Sequence, residues 1–180
     1  QECPPLGLVD HELSEFRSQL SAAGLQVFVA RHSMSLPDAL FAHDVACPFY
    51  GPDRNSLLLL NMKAEDRRPE VDRWRIFYSR LLSPNEWDIM SLHSPSAFVE
   101  GGDIAEAMPS SWLPLAQPVY FVGIGTRTNL EGFHELKAIA QEYGVVVEPV
   151  EVATNCLHLE TGATILAGEV LIDRRWIDTA

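Results

Sequence analysis

The sequence has few of the residues that crosslink a chain, ligate metals or neutralise phosphates. It contains three cysteines in 180 residues. Cys3, Cys47 and Cys156 are widely spaced with no Cys-x-x-Cys pair, so neither a disulfide framework nor a zinc or redox motif is expected. Lysine and arginine number 13 against 25 aspartates and glutamates, a formal net charge of -12. A nucleic-acid partner needs a cationic surface that displaces counterions, and no basic run here exceeds two residues, so no nucleic acid is expected. No apolar run approaches the roughly 20 residues that cross a bilayer, which argues against a membrane. His11, His32, His93 and His134 lack metal-ligand spacing, and Gly123-Ile-Gly125 lacks the third glycine of a dinucleotide fingerprint. Neither a metal nor any other cofactor is implied. The start Gln1-Glu2-Cys3-Pro4-Pro5 has no initiator methionine and is not a signal peptide. A soluble, cytoplasmic protein is expected, present as a fragment or processed form. Homo-oligomer formation stays open.

Hydrophobic residues make up 47% of the chain and charged residues 21%, which suits one globular domain over residues 1–180 with a sizeable core. Asp10 caps a predicted helix through Ala23, with Leu13, Phe16 and Leu20 on one face and Gly24 to end it. Residues 25–30 alternate like a half-buried strand, and residues 37–44 form a loop with two carboxylates. Residues 56–61 read as the next strand, and Val71, Trp74, Phe77 or Tyr78, and Leu81 make a helical stripe behind Pro69. The pattern returns: a strand over 88–92, an acidic loop over 98–104, a strand over 119–122. Asn129 then caps a helix lined by Phe133, Leu136, Ala140 and Tyr143 and ended by Gly144. Residues 145–147 open a third round, with a polar stretch over 154–160, a hairpin over 164–173 and a helix start at Arg174-Arg175. Residues 105–117, with Trp112, are expected as a surface loop.

Helix starts near Asp10, Pro69 and Asn129 recur at intervals of about 60 residues, so the chain reads as three copies of one helix–strand–polar loop–strand module. Equivalent loops of such an array fall on one face, which brings Asp44, Glu100 and His158 together. The densest of these loops is Phe98-Val-Glu-Gly-Gly-Asp-Ile104. Paired glycines reach dihedrals closed to other residues and carry no Cβ, so Glu100 and Asp103 can be presented beside a ligand. Plain turn chemistry is the alternative reading of the same loops.

Five stretches, in order, resemble the dimethylarginine dimethylaminohydrolase family of the guanidino-group-modifying superfamily, which includes arginine deiminases and amidinotransferases. They are Pro37-Asp38-x-x-Phe41-x-x-Asp44, Arg67-Arg68-x-Glu70-Val71-Asp72, Glu100-Gly-Gly-Asp103, Phe121-Val-Gly123 through Arg127-Thr-Asn129, and Leu157-His158-Leu159. The resemblance implies a five-module α/β propeller, of which about three strand–helix modules fall within this chain. It also implies a small-molecule guanidino substrate and attack of a cysteine thiolate on the guanidinium carbon, through a covalent intermediate that water hydrolyses to a citrulline-type product. By the same resemblance His158 is the general acid and base, Glu100 orients and charges it, and Asp44 pairs with the guanidinium. Arg67 and Arg127 hold the substrate carboxylate, and Asp38 and Phe41 line the pocket; Asp103, presented by the paired glycines, and Glu160, where arginine deiminases and amidinotransferases place an acid, are expected as further substrate contacts. The chemistry agrees with these residue types. A planar cation with several N–H donors needs carboxylates in its plane, an arginine fork fits a carboxylate, and histidine titrates near neutrality.

The sequence also departs from the family pattern. The family's nucleophilic cysteine lies well past the Leu-His-Leu motif, and no cysteine matches it here. Cys156 is given no catalytic role by the resemblance, and Cys47 is expected in the core. The expectation is a chain incomplete at both ends. A catalytically incompetent guanidino-binding relative, or an arginine deiminase or amidinotransferase, is the alternative. His43 stands where dimethylargininases tend to carry an acid, and Glu160 where they tend to carry lysine, which shifts the expected substrate toward a less methylated guanidine.

Overall fold

The computed structural model describes residues 6–30, 36, 38, 41–110, 113, 115–166 and 169–177. It is a mixed α/β structure with small sheets, in two compact units, Gln1–Arg31 and His32–Ala180. In the first unit α1 runs over Leu6–Ala22, four residues ahead of the expected cap at Asp10. Gly24 ends it at φ 86°, a left-handed position where a Cβ is costly. Leu13, Phe16, Leu25, Phe28 and Val29 are all exposed. The strand expected over 25–30 is absent from the structure, because those residues form no ladder with any described strand and alternation alone supplies no hydrogen-bond partner.

The second unit repeats one arrangement. β1 (Ala46–Phe49) pairs antiparallel with β2 (Asn55–Leu59); α2 (Arg68–Leu81) then leads to β3 (Trp87–Ser91), parallel to β2. β4 (Ile104–Ala107) pairs antiparallel with β5 (Val119–Ile124); α3 (Leu130–Glu142) leads to β6 (Val146–Glu151), parallel to β5. A short α4 (Leu159–Gly162) precedes the antiparallel hairpin of β7 (Ala163–Leu166) and β8 (Glu169–Ile172). The leading strands β1, β4 and β7 thus begin about 60 residues apart.

Two strands depart from the sequence reading. β1 lies between the expected loop over 37–44 and the expected strand over 56–61, and the sequence reading gave it no structure, since it is short and carries Pro48. That proline is tolerated because β1 lies at the sheet edge. β4 occupies the start of the expected surface loop over 105–117, while Trp112 lies outside the described residues. The expected helix start at Arg174-Arg175 is a turn instead, with Arg175 folded back onto Asp173.

The two three-stranded sheets and α3 share one core. Phe49, Leu58 and Leu60 meet Val99, Tyr120, Val122, Phe133 and Leu136 there. Phe49 stacks on Tyr120 and Tyr143 at ring centroid distances of 5.8 and 5.2 Å. Cys47 is buried in this core, as expected from its sequence setting. A smaller cluster of Ala105, Val152, Cys156, Leu159 and Ile177 lies under α4.

Candidate active site

Each leading strand is entered through a short helical turn, and these three turns carry the site. A 3-10 turn over Ala42–Val45 precedes β1 and bears Asp44. A second over Gly101–Asp103 precedes β4, with Glu100 extended at its start. His158, also extended at φ -143° and ψ 161°, starts α4 before β7. The turns approach closely because Gly101 and Gly102 have no side chains. A Cβ on Gly101 would strike the His43 carbonyl, and one on Gly102 would lie 2.8 Å from the His158 ring. Neither glycine has a positive φ. Their role is close approach rather than the unusual dihedrals expected from sequence.

The three turns place Glu100, Asp44 and His158 in contact range. His158 Nε2 lies 3.0 Å from Glu100 Oε2, and the carboxylate is fully buried. Glu100 Oε1 also accepts from the Lys63 backbone N–H at 3.0 Å and from Arg127 Nη1 at 3.5 Å. Burial pushes the Glu100 pKa up, but the bond to His158 and the charge of Arg127, with the Lys63 N–H, outweigh it and hold the group below its ordinary value. Burial lowers the His158 pKa. Its bond to Glu100 and the charges of Asp103 and Asp44 work the other way and win, so the imidazole is raised. Its Nδ1 makes no hydrogen bond among the described residues, which leaves it able to exchange a proton with a ligand.

Asp44 accepts from Arg67 Nη1 at 2.7 Å and from the Gly102 N–H at 3.0 Å. Arg67 is itself gripped by Glu70, Nε to Oε1 at 3.2 Å and Nη2 to Oε2 at 3.0 Å. It was expected to hold a substrate carboxylate, yet three of its donors are already committed to acids of the chain. Arg127 is less committed, with its side chain 27% exposed. Together with Asp38, Phe41, His43, Leu157, Glu160 and Thr161, these side chains line one cavity of about 750 Å³.

Among the expected site residues, Asp38, Phe41, Asp44, Arg67, Arg127, His158 and Glu160 all line this cavity. Glu100 lies beneath it, bonded to His158. Asp103 does not line it, contrary to the expected substrate contact. Its buried carboxylate accepts from Thr128 Oγ1 at 2.7 Å and from the Leu159 N–H at 2.9 Å, so it ties the β4 turn to α4. Burial raises its pKa to about 6, against the hydrogen bonds from Thr128 and Leu159. Sequence reasoning named Glu70 in a motif but gave it no role, though its place three residues after Arg67 at a helix start is an ion-pair spacing. It likewise gave no role to Thr128, within the Arg127-Thr-Asn129 motif, whose hydroxyl bridges the Glu100 N–H and Asp103 and which no periodicity marks. Cys156 is buried, with its thiol donating to the His158 carbonyl at 3.2 Å. Burial raises its pKa, so it is a poor nucleophile.

One ligating atom from each of Asp44, Glu100 and His158 fits within a 4.8 Å cluster. Arg67 and Arg127 already meet the negative charge of that cluster, which weighs against a metal ion there. No described helix is long and apolar enough to cross a membrane.

Comparison with known proteins follows the same line. The family profile described as arginine deiminase matches residues 23–177. A dimethylarginine dimethylaminohydrolase of Streptomyces coelicolor is 28% identical over 166 residues, covering 92% of this chain and 57% of that protein. A Pseudomonas aeruginosa dimethylarginine dimethylaminohydrolase, solved with citrulline, superposes with a TM-score of 0.69 at 22% identity, covering 91% of this chain and 57% of the other. The N-terminal domain of ArgZ, a cyanobacterial arginine dihydrolase, gives 0.70 at 17% identity, covering 93% and 56%. These two superpositions speak to the fold, and the chain spans little more than half the length of the relatives named. With the profile match running through nearly all of the second unit, this chain belongs to the arginine deiminase family, within the guanidino-group-modifying superfamily.

Proposed function

We propose that the cavity is the guanidino-binding and proton-transfer part of a hydrolase that cleaves a C–N bond of a dimethylarginine-like or arginine-like compound. The sheets and the hairpin are then consecutive modules of an incomplete α/β propeller, and residues 1–180 are a stretch of that single domain. The observation carrying the reading is the buried Glu100–His158 pair, with Asp44 and Arg127 on the same cavity. Asp44 keeps a lone pair on each oxygen beyond its bonds to Arg67 and Gly102, so it can accept from a guanidinium. Arg127, backed by Arg67, is the positive wall for a carboxylate at the far end of the substrate. Asp38, Phe41 and Glu160 shape the remaining walls, and Asp103 acts from below by holding the Leu159 N–H.

In the first step a cysteine thiolate bonds to the guanidinium carbon. The bond from carbon to the departing amine breaks, and protonated His158 gives that amine its proton. In the second, water adds to the same carbon while His158 takes one of its protons; the C–S bond breaks to release the thiolate, and the remaining hydroxyl proton passes to solvent to leave a citrulline-type urea. Glu100 favours the imidazolium form that the first step consumes. Both described cysteines are buried outside the cavity, and by the family resemblance the thiolate comes from a position well past His158.

The test is citrulline production by the whole protein supplied with L-arginine or asymmetric dimethylarginine. Citrulline is expected, with His158→Ala lowering kcat by about a hundredfold or more while the ligand still binds. Binding without turnover in the wild type would instead identify a guanidino-binding relative that lacks a nucleophile. Absence of both would overturn the reading.

A further inference from the structure

Two side chains at the cavity rim belong neither to the proton-transfer pair nor to the arginine wall. His43 Nε2 lies 3.5 Å from Glu160 Oε2, and the two side chains are 56% and 45% exposed. His43 comes from the turn before β1 and Glu160 from α4 before β7, so two different modules meet here across the mouth of the cavity. The charges that bear on His43 are all acidic: Glu160 from α4, Glu106 from β4, and Asp44 from its own turn. Arg67, Arg127, His158 and Asp38 stand around the same cavity. Glu106 bears on Glu160 as well. Burial and the Glu160 charge push the Glu106 pKa up, while the His43 charge pulls it down.

We propose that the His43–Glu160 pair is a proton-operated latch that sets the affinity and selectivity of the cavity for guanidinium groups. When His43 is protonated, its imidazolium occupies the Glu160 carboxylate and repels an entering cation. When His43 is neutral, Glu160 is released to accept N–H bonds from the ligand. Both consequences have the same sign, so cation binding tightens as the pH rises. The inference rests on reading the cavity as a guanidino site.

The geometry fits a modulator rather than an on–off gate. Both groups are half exposed, so solvent and salt screen the pair, and a coupling of about tenfold is the expected size. The Glu160 carboxylate raises the His43 pKa against the partial burial of the ring, and the charges of Asp44 and Glu106 add to it. The change of state therefore falls above the ordinary imidazole value of about 6.5. Linkage is reciprocal: if the proton weakens ligand binding, the ligand must weaken proton binding.

The experiment is an NMR titration of the His43 and His158 rings in the whole protein, with and without L-arginine, for wild type and Glu160→Gln. It is joined to arginine affinity at about pH 5.5 and about pH 8, on either side of the histidine range, in wild type and His43→Asn. Glu160→Gln is expected to lower the His43 pKa, and arginine to lower it in the wild type. Arginine affinity is expected to rise about tenfold between the two pH values in the wild type and clearly less in His43→Asn. If arginine shifts the His158 resonances but leaves the His43 titration unmoved, the latch is overturned and the guanidino reading stands. If arginine shifts neither ring and does not bind, the guanidino reading fails and the latch fails with it.

Discussion

At the scale of single residues, the fully buried Glu100 is the centre of the site's electrostatics. A carboxylate out of water is costly unless it is met by donors, and Glu100 meets His158, the Lys63 N–H and Arg127. The pairing also sets a pH dependence. A histidine whose folded pKa is raised adds stability that is fully present below the unfolded value of about 6.5 and is lost as the pH rises through the folded value. Glu100→Gln keeps the shape but removes the charge. We expect it to lower the His158 pKa and to remove that share of the acid-side stability, as followed by NMR titration of the ring. An unchanged titration would rule out the contact. Asp44, Glu100 and His158 were legible in the sequence as residues of the polar loops. The roles of Glu70 and Thr128 were not, although both stand in the quoted motifs, because their value comes only from what they touch: Glu70 fixes Arg67, and Thr128 links Glu100 to Asp103.

At the scale of elements, α3 shows how one capping residue positions the site. Its cap was plain in the sequence, and the structure gives Asn129 more to do than cap. Asn129 Oδ1 accepts from the Gly132 N–H at 2.9 Å and from the Phe98 N–H at 3.1 Å, and Nδ2 donates to the Ser96 carbonyl at 2.8 Å. The helix start is thereby fastened to the segment that leads into Glu100. Gly132 allows it, since a Cβ there would strike the Phe98 carbonyl. An N-cap is worth about 1 kcal/mol, and two further bonds of about 1 kcal/mol each bring the expected cost of Asn129→Ala to about 2 to 3 kcal/mol. Urea unfolding of the two proteins measures it. A loss of only a few tenths would mean that the segment over 96–98 is held by other contacts. The strands were harder to foresee. β1 and β4 are four residues each, and their identity comes from the partners β2 and β5 rather than from propensity.

At the scale of the whole molecule, if the cavity is the guanidino site proposed above, ligand choice is set jointly by turns from three modules, because residues 41–44, Gly102 and residues 157, 158, 160 and 161 all line it. Each methyl on a guanidinium nitrogen removes an N–H donor, and a carboxylate facing that nitrogen then stays desolvated without a partner. That costs about 1 to 3 kcal/mol, or roughly tenfold to more than a hundredfold in affinity. Glu160, at the rim beside His43, is placed to impose this cost. At a pH where His43 is neutral, the whole protein is expected to prefer arginine over asymmetric dimethylarginine in kcat/KM, and Glu160→Lys to reduce the preference. A wild type that strongly favours the dimethylated compound would remove Glu160 from the selectivity argument.

The sequence alone determined the period of about 60 residues in the second unit, the helices α2 and α3 with the start of each and the end of α3, the burial of Cys47, and the polar loops that carry Asp44, Glu100 and His158. Those properties follow from hydrophobic period, cap chemistry and the positions of glycines, all of which are local along the chain. Tertiary structure decided which carboxylates face the cavity and which hold it together. Asp103 and Glu100 sit in the same four-residue motif, yet Glu100 bonds His158 while Asp103 bonds the backbone of α4. It also decided that Arg67 spends its donors on Asp44 and Glu70, and that His43 meets Glu160. The contacts of Glu100 with His158, of Asp103 with α4 and of His43 with Glu160 join different modules, and such contacts between residues far apart in sequence depend on how closely the turns approach. Here that approach is set by Gly101 and Gly102, whose missing side chains let three turns meet over one cavity.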